Sequence, residues 1–361
     1  MLNVAGILLV GLSARGFGFD NDVEWSSSSS GIEFGDHGLA YTDPFATQRD
    51  SAQPAGPGFT LEVALRPEES AGRGFQFIAV VHSGEDDSQF LIAQWRQTII
   101  VMNGDDYDHR RRLPRLSATI SDFGADPFFL AVRSGARGSA LYVDGRRVAS
   151  REDVTFRLPT DETPGRLVLG NSVYGDSSWS GRILGVALHG SALDEPTLQG
   201  HLELWRDNRG FTGSEYESAD LSYPLSELTG REALDRSSRG NNLHFPREQS
   251  FVTPKLFAYD INPFAATRPM TFDVVINLVG FIPLGFLLFA LVTRVTSVSR
   301  RSALVATIVT GFVLSLGIEA AQAWIPSRSS SLLDLLLNTT GTGLGSVAFL
   351  VRAARVPWGE A

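Results

Sequence analysis

The stretch from 315 to 345, SLGIEAAQAWIPSRSSSLLDLLLNTTGTGLG, decides how the C-terminal third of the chain is interpreted. It lies in the most apolar part of the sequence but carries several charged and amide side chains. A charge at bilayer depth costs several kcal/mol and marks a functional candidate by default. The polar residues of the stretch are Glu319, Gln322, Arg328, Asp334 and Asn338.

Three long apolar runs, at 272–295, 302–324 and 332–351, predict transmembrane helices. Each reaches the roughly 20 residues that a spanning helix needs. Buried core helices of a soluble protein are the alternative, but three runs with such short connections favour a membrane bundle. A shorter apolar run at 1–15 predicts a first transmembrane helix or a signal-like anchor, which would make four helices.

Arginines near the ends of these runs predict the orientation. Arg294, Arg300 and Arg301 lie between two of the runs, and Arg352 and Arg355 follow the last one. Because basic residues concentrate in cytoplasmic loops, both groups are expected inside. The sequence thus predicts a multi-pass plasma-membrane protein with a cytoplasmic tail at 352–361 and an external segment between the first two helices.

Charge is distributed unequally between the two parts of the chain. From 272 onward there are six basic and four acidic residues, whereas the remainder holds 25 basic and 36 acidic residues. An acidic soluble part argues against nucleic acid as a partner, because nucleic-acid binding needs basic patches. The chain has no cysteine, which excludes disulfides and thiolate metal sites.

The segment before the apolar runs is typical of an all-β protein. Short alternating runs separated by Gly, Pro, Asp and Ser occur at 59–67, 75–83, 90–103, 128–135, 139–150, 166–171 and 181–193. Phe59, Leu61, Val63 and Leu65 fall on one face of the first run. Asp144-Gly145 predicts a type I′ hairpin turn. Many short strands at regular spacing predict a sandwich.

These runs, with the sequence WSGRILGVALHGSAL at 179–193 and a predicted helix at 194–207, resemble the laminin-G-like or concanavalin-A-like jelly roll. The resemblance predicts such a domain at 17–207. A later segment, YPLSELTGREALDRSSRGNNL at 223–243, is similar to the opening strand of such domains. The region 208–271 is therefore predicted to hold an added edge strand and a linker.

The resemblance implies a domain that binds envelope glycan or another surface ligand. A jelly-roll glycosidase would need paired carboxylates on one strand, and the sequence has no such run. Calcium is the one cofactor considered, with Asp86, Asp105 and Asp235 as candidate ligands, although such loop acids are usually solvated turn residues. Trp95, Tyr107, Tyr174 and Trp179 could stack on sugars, with core packing favoured for Trp95 and Trp179.

The polar residues of the apolar runs form pairs at helical spacing. Glu319 and Gln322 are separated by three residues, and Asp334 and Asn338, like Asp273 and Asn277, by four. At a rise of about 1.5 Å per residue, these six residues are predicted to lie in one layer near the external membrane surface. Arg328 is predicted to lie in the turn at the same level. Gly341 and Gly345 form a G-x-x-x-G pattern, which permits close helix approach.

This pattern resembles the VanZ-like membrane family. Its motifs are matched by Asp273, Asn277, Phe281, Pro283, Leu284 and Gly285, and then by Ser315, Ile318, Glu319, Gln322, Pro326, Arg328, Asp334, Asn338, Gly341 and Gly345. The family is named for a link to low-level glycopeptide resistance in bacteria. On this resemblance the jelly roll is an insertion between helices one and two.

Three functions are compatible with the polar cluster. Glu319, Asp334 and Asp273 are candidate acid/base residues for an enzyme acting on an envelope lipid or glycan precursor. Arg328, Gln322, Asn338 and Asn277 are candidate ligands for a lipid headgroup or glycan. The cluster could instead have only a structural role, in which it holds the helices together. The helices would then be an inert anchor, and the jelly roll would be a structural or adhesion module.

Overall fold

The computed structural model describes residues 2–12, 20–27, 30–35, 37–47, 57–68, 74–107, 109–120, 126–160, 162–207, 209–248, 254, 256–257, 268–325 and 330–355. The chain divides into two compact units. We call residues 18–252 the sandwich unit, and residues 1–17 with 253–361 the helical unit.

The secondary-structure elements follow in chain order. They are α1 (Leu2–Leu12), β1 (Val23–Trp25), β2 (Ile32–Phe34), β3 (Ala40–Thr42), β4 (Pro57–Pro67), β5 (Gln76–His82), β6 (Phe90–Trp95), β7 (Thr98–Asn103), β8 (Arg115–Thr119), β9 (Phe128–Gly135), β10 (Gly138–Val143), β11 (Arg146–Arg151), β12 (Arg166–Leu169), β13 (Gly181–Ser191), α2 (Glu195–Arg206), α3 (Ser214–Glu217), β14 (Leu221–Tyr223), β15 (Glu232–Ala233), β16 (Leu243–His244), α4 (Arg268–Val295), α5 (Arg300–Gln322) and α6 (Leu332–Arg355).

In its described residues, the sandwich unit consists of two antiparallel sheets of eight strands each. The first has the order β1-β2-β13-β4-β9-β10-β11, with β14 paired to β13 as well. The second has the order β15-β16-β3-β12-β5-β6-β7-β8. Strands β14, β15 and β16 come from the region after α2, so this region contributes to both sheets. The predicted all-β sandwich of antiparallel strands is confirmed.

The core between the sheets follows the alternation of the sequence. Phe59, Leu61, Val63 and Leu65 on β4 are all buried in the main apolar cluster, as predicted. Trp179 is fully buried in the same cluster, and its indole N–H donates to Oε1 of Gln94 at 2.6 Å. A buried indole needs such a partner for its N–H, and the pair links the segment just before β13 to β6 of the second sheet.

Turn chemistry explains where the strands end. Asp144 and Gly145 both have positive φ, 47° and 75°, as a type I′ turn requires. The predicted run at 90–103 is two strands rather than one, because Arg96 (φ 55°) turns the chain between β6 and β7. Trp95 lies beside this turn and is 45% exposed, so the expectation that it packs in the core is wrong.

Within its described residues, the helical unit has two helical segments, 274–295 and 300–322, that are long and apolar enough to cross a membrane. Helix α6 is a further helix of 24 residues. Helix α1 has eleven residues and so is about 16 Å long, half of the ~30 Å hydrocarbon core. The side chains of Ile7, Leu8 and Leu12 on α1 pack with Phe281 of α4 and Ile318 of α5.

Glycines set the contact between α4 and α6. A Cβ added at Gly345 would lie 2.0 Å from the Ile282 carbonyl oxygen, and one at Gly341 would lie 2.2 Å from that of Leu278. One added at Gly285 would lie 2.0 Å from the Thr342 carbonyl oxygen. The two backbones therefore approach to a distance that leaves no room for a side chain, as the G-x-x-x-G pattern predicts.

We expect Gly345→Ala to destabilise the helical unit by roughly 1–3 kcal/mol, because the added methyl group forces the two backbones apart. Gly317→Ala is the matched control, since nothing lies within 4 Å of a Cβ at that position. Unfolding of the detergent-solubilised chain, followed by the helical circular dichroism signal, measures both variants. Equal stability of the two variants would contradict the packing described for α4 and α6.

Candidate functional site

Polar residues from three helices of the helical unit line one cavity of about 400 Å³. Its polar lining consists of Asn277 on α4, Glu319 and Gln322 on α5, and Asp334 and Asn338 on α6. Ile7, Ile276, Phe281 and Ile318 supply apolar walls. We call this cavity the polar pocket. Five side chains that the sequence pairs by spacing thus meet in one place, with an amphipathic lining.

Hydrogen bonds fix several of these side chains. The Ser331 N–H, just before α6, donates to Oε2 of Glu319 at 2.8 Å. The Gln322 Nε2 donates to the Gly11 carbonyl of α1 at 2.6 Å. The Asn338 Nδ2 donates to the Ser315 hydroxyl of α5 at 2.9 Å. The cluster therefore joins α1, α5 and α6, as the structural interpretation of the cluster requires.

One buried acceptor in the pocket lacks a partner. Asn338 is only 3% exposed, and its Oδ1 has no hydrogen bond to any residue that the structure describes. A buried amide oxygen without a partner is unfavourable by about 1–3 kcal/mol. The pocket thus offers a polar atom for a ligand, in addition to its structural hydrogen bonds.

Two predicted site residues cannot be placed in the pocket. Arg328 lies outside the described residues. Asp273 falls in α4, but only its backbone belongs to the described part of the chain. Their assignment as a ligand-binding and a catalytic candidate stays a prediction.

Of the three calcium candidates, Asp86 and Asp105 lie in loops and have side-chain partners. The Tyr174 hydroxyl donates to Oδ1 of Asp86 at 2.8 Å, and the same oxygen lies 3.3 Å from Nε2 of His82. Asp105 forms an ion pair with Arg111. Calcium takes six to eight oxygen ligands. These contacts hold the loop conformations, and the assignment of Asp86 and Asp105 as calcium ligands stays a prediction.

Asp235 has a structural role in the sandwich unit. Its Oδ1 accepts the N–H groups of Ser222 and Ser237, and its Oδ2 accepts the N–H of Asn241, each at 2.9 Å. The Ser237 hydroxyl donates to Oδ2 as well, at 2.8 Å. Four donors on two oxygens satisfy this carboxylate within the fold.

Tyr107 and Tyr174, which we call the aromatic patch, pack beside the second sheet: the Tyr107 ring contacts Phe75 and Phe77, and the Tyr174 ring contacts His82. Tyr107 is 37% exposed, and Gln89 donates to its hydroxyl at 2.8 Å. Burial raises the pKa of Tyr107, and the pKa of Tyr174 is raised first by burial and then by its hydrogen bond to Asp86. Both phenols are therefore neutral hydrogen-bonding groups at physiological pH.

A second buried polar cluster lies in the sandwich unit. Glu62, His189 and His201 offer ligand atoms within 4.8 Å of one another. Nδ1 of His201 lies 2.8 Å from Oε1 and 3.1 Å from Oε2 of Glu62. Burial alone would raise the pKa of Glu62, but the contacts with both histidines outweigh it and lower the pKa below its usual range.

Two family sequence models match this chain. The model of the concanavalin A-like lectin/glucanase superfamily matches residues 40–199. The VanZ/LLP1 model matches residues 229–353. The chain joins a concanavalin A-like domain to a VanZ/LLP1 region. Both predicted resemblances are confirmed, and the VanZ/LLP1 match begins before the helical unit, upstream of β15.

Solved structures resemble parts of the chain at low sequence identity. A Bacteroides ovatus protein described as carbohydrate-binding aligns with 65% of this chain and 62% of its own, at 12% identity and a TM-score of 0.39. The CBM40 of Ruminococcus gnavus IT-sialidase, solved with α2,3-sialyllactose, aligns with 48% of this chain and 96% of its own, at 14% identity and a TM-score of 0.35. Trypanosoma rangeli sialidase aligns with 51% of this chain and 29% of its own, at 17% identity and a TM-score of 0.38.

The chain spans less than two thirds of the B. ovatus protein and less than a third of the T. rangeli sialidase. No curated protein matches the sequence.

Sequence reasoning missed the Glu62 cluster of the concanavalin A-like domain. Glu62 sits between Leu61 and Val63 in an alternating strand, where a solvent-facing position is the ordinary expectation. Helix α2 covers that face, and Leu198 and Leu202 pack on it. His189 and His201 were the available signal, because they were two of six histidines and both lay next to apolar residues.

In the VanZ/LLP1 region, Ser315→Ala removes the buried partner of Asn338 and leaves its amide donor unpaired. We expect a loss of stability of on the order of 0.5–2 kcal/mol, the range measured for interhelical hydrogen bonds in membranes. Thr310→Ala on the same helix is the control, since that hydroxyl is exposed and bonds to its own helix at Ala306. Detergent unfolding curves compare them, and an unaffected Ser315→Ala chain would argue against the bond.

Proposed function

We propose that the chain is an integral membrane protein of the cell envelope that binds the polar headgroup of an envelope lipid or lipid-linked glycan in the polar pocket. In this proposal α1, α4, α5 and α6 form a four-helix VanZ-like bundle in the plasma membrane. The jelly roll at 17–207 and the region 208–271 are external, and the tail at 352–361 is cytoplasmic.

Exposed apolar side chains on the helices support membrane insertion. An apolar surface of this extent is unfavourable in water and fits a lipid environment. On α4, α5 and α6 it includes Val275, Val279, Leu287, Leu291, Val305, Val309, Val313, Leu344, Val347 and Val351.

Arginine positions support the orientation. The contacts of Gly341 with Leu278 and of Gly345 with Ile282 run in the same chain direction, so α4 and α6 are parallel. Four residues join α4 to α5, which is therefore antiparallel to both. Arg294, Arg301 and Arg352 thus share one end of the bundle. By the positive-inside rule that end is cytoplasmic, and the polar pocket lies toward the external side.

The lining of the polar pocket supports a particular ligand chemistry. Carboxylates accept hydrogen bonds and attract cations, and amides both donate and accept. Glu319, Asp334 and three amides therefore favour groups that carry hydroxyls or an ammonium. A volume of about 400 Å³ lies within the usual range for small-molecule pockets. The apolar walls suit the adjoining lipid chain. This pocket is the observation that carries the proposal.

An enzymatic version of the proposal uses the same residues. Glu319 and Asp334 line one cavity, so both carboxylates could reach one substrate and act as acid and base. Asp273 is retained as a third candidate. Binding without turnover is favoured here, because Oε2 of Glu319 already accepts the Ser331 N–H.

We expect Glu319→Gln to weaken headgroup binding roughly tenfold or more, since hydrogen bonds to charged groups contribute about 1.5–3 kcal/mol. Glutamine keeps an oxygen that can accept from Ser331, so the melting temperature should change little. Native mass spectrometry with phosphatidylethanolamine and an isoprenoid-linked disaccharide measures binding by the full chain. Cellular sensitivity to a glycopeptide antibiotic is a second readout.

Thr310→Ala, outside the pocket, is the control for these measurements. Unchanged binding in Glu319→Gln, together with early melting, would assign the cluster to helix joining alone. Release of a hydrolysed product by the unaltered chain, lost in Glu319→Gln, would favour the enzyme.

We further propose that the jelly roll binds glycan at the aromatic patch. Aromatic rings with adjacent carboxylates are suited to sugars, which offer apolar faces and hydroxyl groups. Tyr107, Tyr174 and Asp86 provide this combination. The match to the concanavalin A-like lectin/glucanase superfamily supports the same function.

Tyr107→Ala should lower affinity for envelope glycan by roughly tenfold, because the ring is lost from the exposed part of the patch. Co-sedimentation of the full-length chain with purified cell-wall glycan measures the affinity. Trp95→Ala is the matched control, since Trp95 is also exposed but its ring is covered by the guanidinium of Arg96 at the β6–β7 turn. Loss of binding in Trp95→Ala alone would place the glycan site elsewhere.

A further inference from the structure

Three metal-ligating side chains meet on the face of the first sheet that α2 covers. Glu62 comes from β4 and His189 from β13, and the antiparallel pairing of these strands places both side chains on the same face. His201 comes from α2, and its neighbours Leu198 and Leu202 are buried against that face. Two strands and one helix therefore converge on a single polar point within an apolar cluster.

All three side chains are buried. Glu62 is 0% exposed, and His189 and His201 are each 3% exposed. Removing a carboxylate from water is costly, and apolar residues of similar volume would often be at least as stabilising at such a position. A structural role alone is a weak explanation for this set, whereas buried charges commonly coordinate metals.

The contacts within the cluster are incomplete. Nε2 of His189 lies 3.6 Å from Oε2 of Glu62, beyond hydrogen-bond distance. The same nitrogen has no hydrogen bond to any other residue in the described part of the chain. A nearly fully buried imidazole nitrogen thus points toward a carboxylate without bonding to it. A cation between the two would engage both groups.

The donor set selects a class of metal. Two imidazole nitrogens and a carboxylate are typical ligands of Zn²⁺ and similar divalent transition metals, at about 2.0–2.2 Å. Atoms within 4.8 Å of one another reach that geometry after movements of less than about 1 Å. Calcium, in contrast, takes oxygen ligands. Both histidines also line a cavity of about 370 Å³, which leaves room for a further ligand.

We propose that Glu62, His189 and His201 form a binding site for a divalent transition-metal ion such as Zn²⁺. The ion bridges β4, β13 and α2, and water or a ligand in the cavity completes its coordination. The site is independent of the polar pocket and of the aromatic patch. It differs from the predicted calcium sites in both residues and metal.

Zinc binding by the full chain, purified in detergent without a histidine tag and treated with a chelator, tests the proposal. Titration calorimetry with Zn²⁺ should show one site per chain, and added Zn²⁺ should raise the melting temperature. Ca²⁺ should do neither. Glu62→Gln and His201→Asn should each raise the Kd for Zn²⁺ by about tenfold or more.

His244→Asn is the matched control, because it removes a histidine that lies 3.2 Å from Glu232 in the second sheet. It should leave zinc binding unchanged. Zinc affinity in Glu62→Gln equal to that of the unaltered chain would overturn the proposal.

Removal of a buried carboxylate can itself unfold the domain, so a second measurement uses the unaltered chain. Co²⁺ in a four-coordinate nitrogen and oxygen site gives visible absorption, which Zn²⁺ should abolish by displacement. Absence of this absorption, together with less than one bound Zn²⁺ per chain after dialysis, would also overturn the proposal.

Discussion

Backbone contact between α4 and α6 determines the arrangement of the helical unit. A Cβ at Gly341 or Gly345 would overlap a carbonyl oxygen of α4, so the two helices meet at their backbones. Thr342 fills the space opposite Gly311 of α5 in the same layer. With the three helices this close, short side chains such as Ser315 and Asn338 can hydrogen-bond directly. The polar pocket exists because the small residues bring its lining residues within reach of one another.

Both units contain buried polar groups that need hydrogen-bond partners. Some of these groups have all their partners within the fold, and others do not. In the sandwich unit, four donors satisfy Asp235, and Gln94 satisfies the indole of Trp179. At Asn338 and His189 one polar atom is left without a hydrogen bond to the described residues. Complete networks hold the fold, whereas an incomplete one keeps binding capacity for another molecule. This difference distinguishes Asn338 and His189 from Asp235 and Trp179.

Sequence periodicity predicted the elements because local patterns encode them. The face of β4 formed by Phe59, Leu61, Val63 and Leu65 and the Asp144-Gly145 turn depend only on neighbouring residues. The pairing of polar residues in the helices was predictable for the same reason. Helix spacing fixes which side chains share a face, and apolar surroundings make each polar residue conspicuous.

The Glu62 cluster depends instead on tertiary packing, which spacing does not encode. Its residues are separated by 127 and 12 positions in the chain, and a helix covers a sheet face that alternation alone marks as exposed. At Trp95 the sequence pattern fails in the opposite direction, because a residue expected in the core is exposed. The chain turns at Arg96, and this leaves the Trp95 ring in solvent.

The polar pocket and the Glu62 cluster favour different ligands. The polar pocket combines two carboxylates and three amides with apolar walls, a lining that suits an amphipathic molecule. The Glu62 cluster has two imidazole nitrogens, and neutral imidazole is a strong ligand for transition metals and a poor one for calcium. The proposed metal and the proposed headgroup therefore depend on different residues and do not compete for one site.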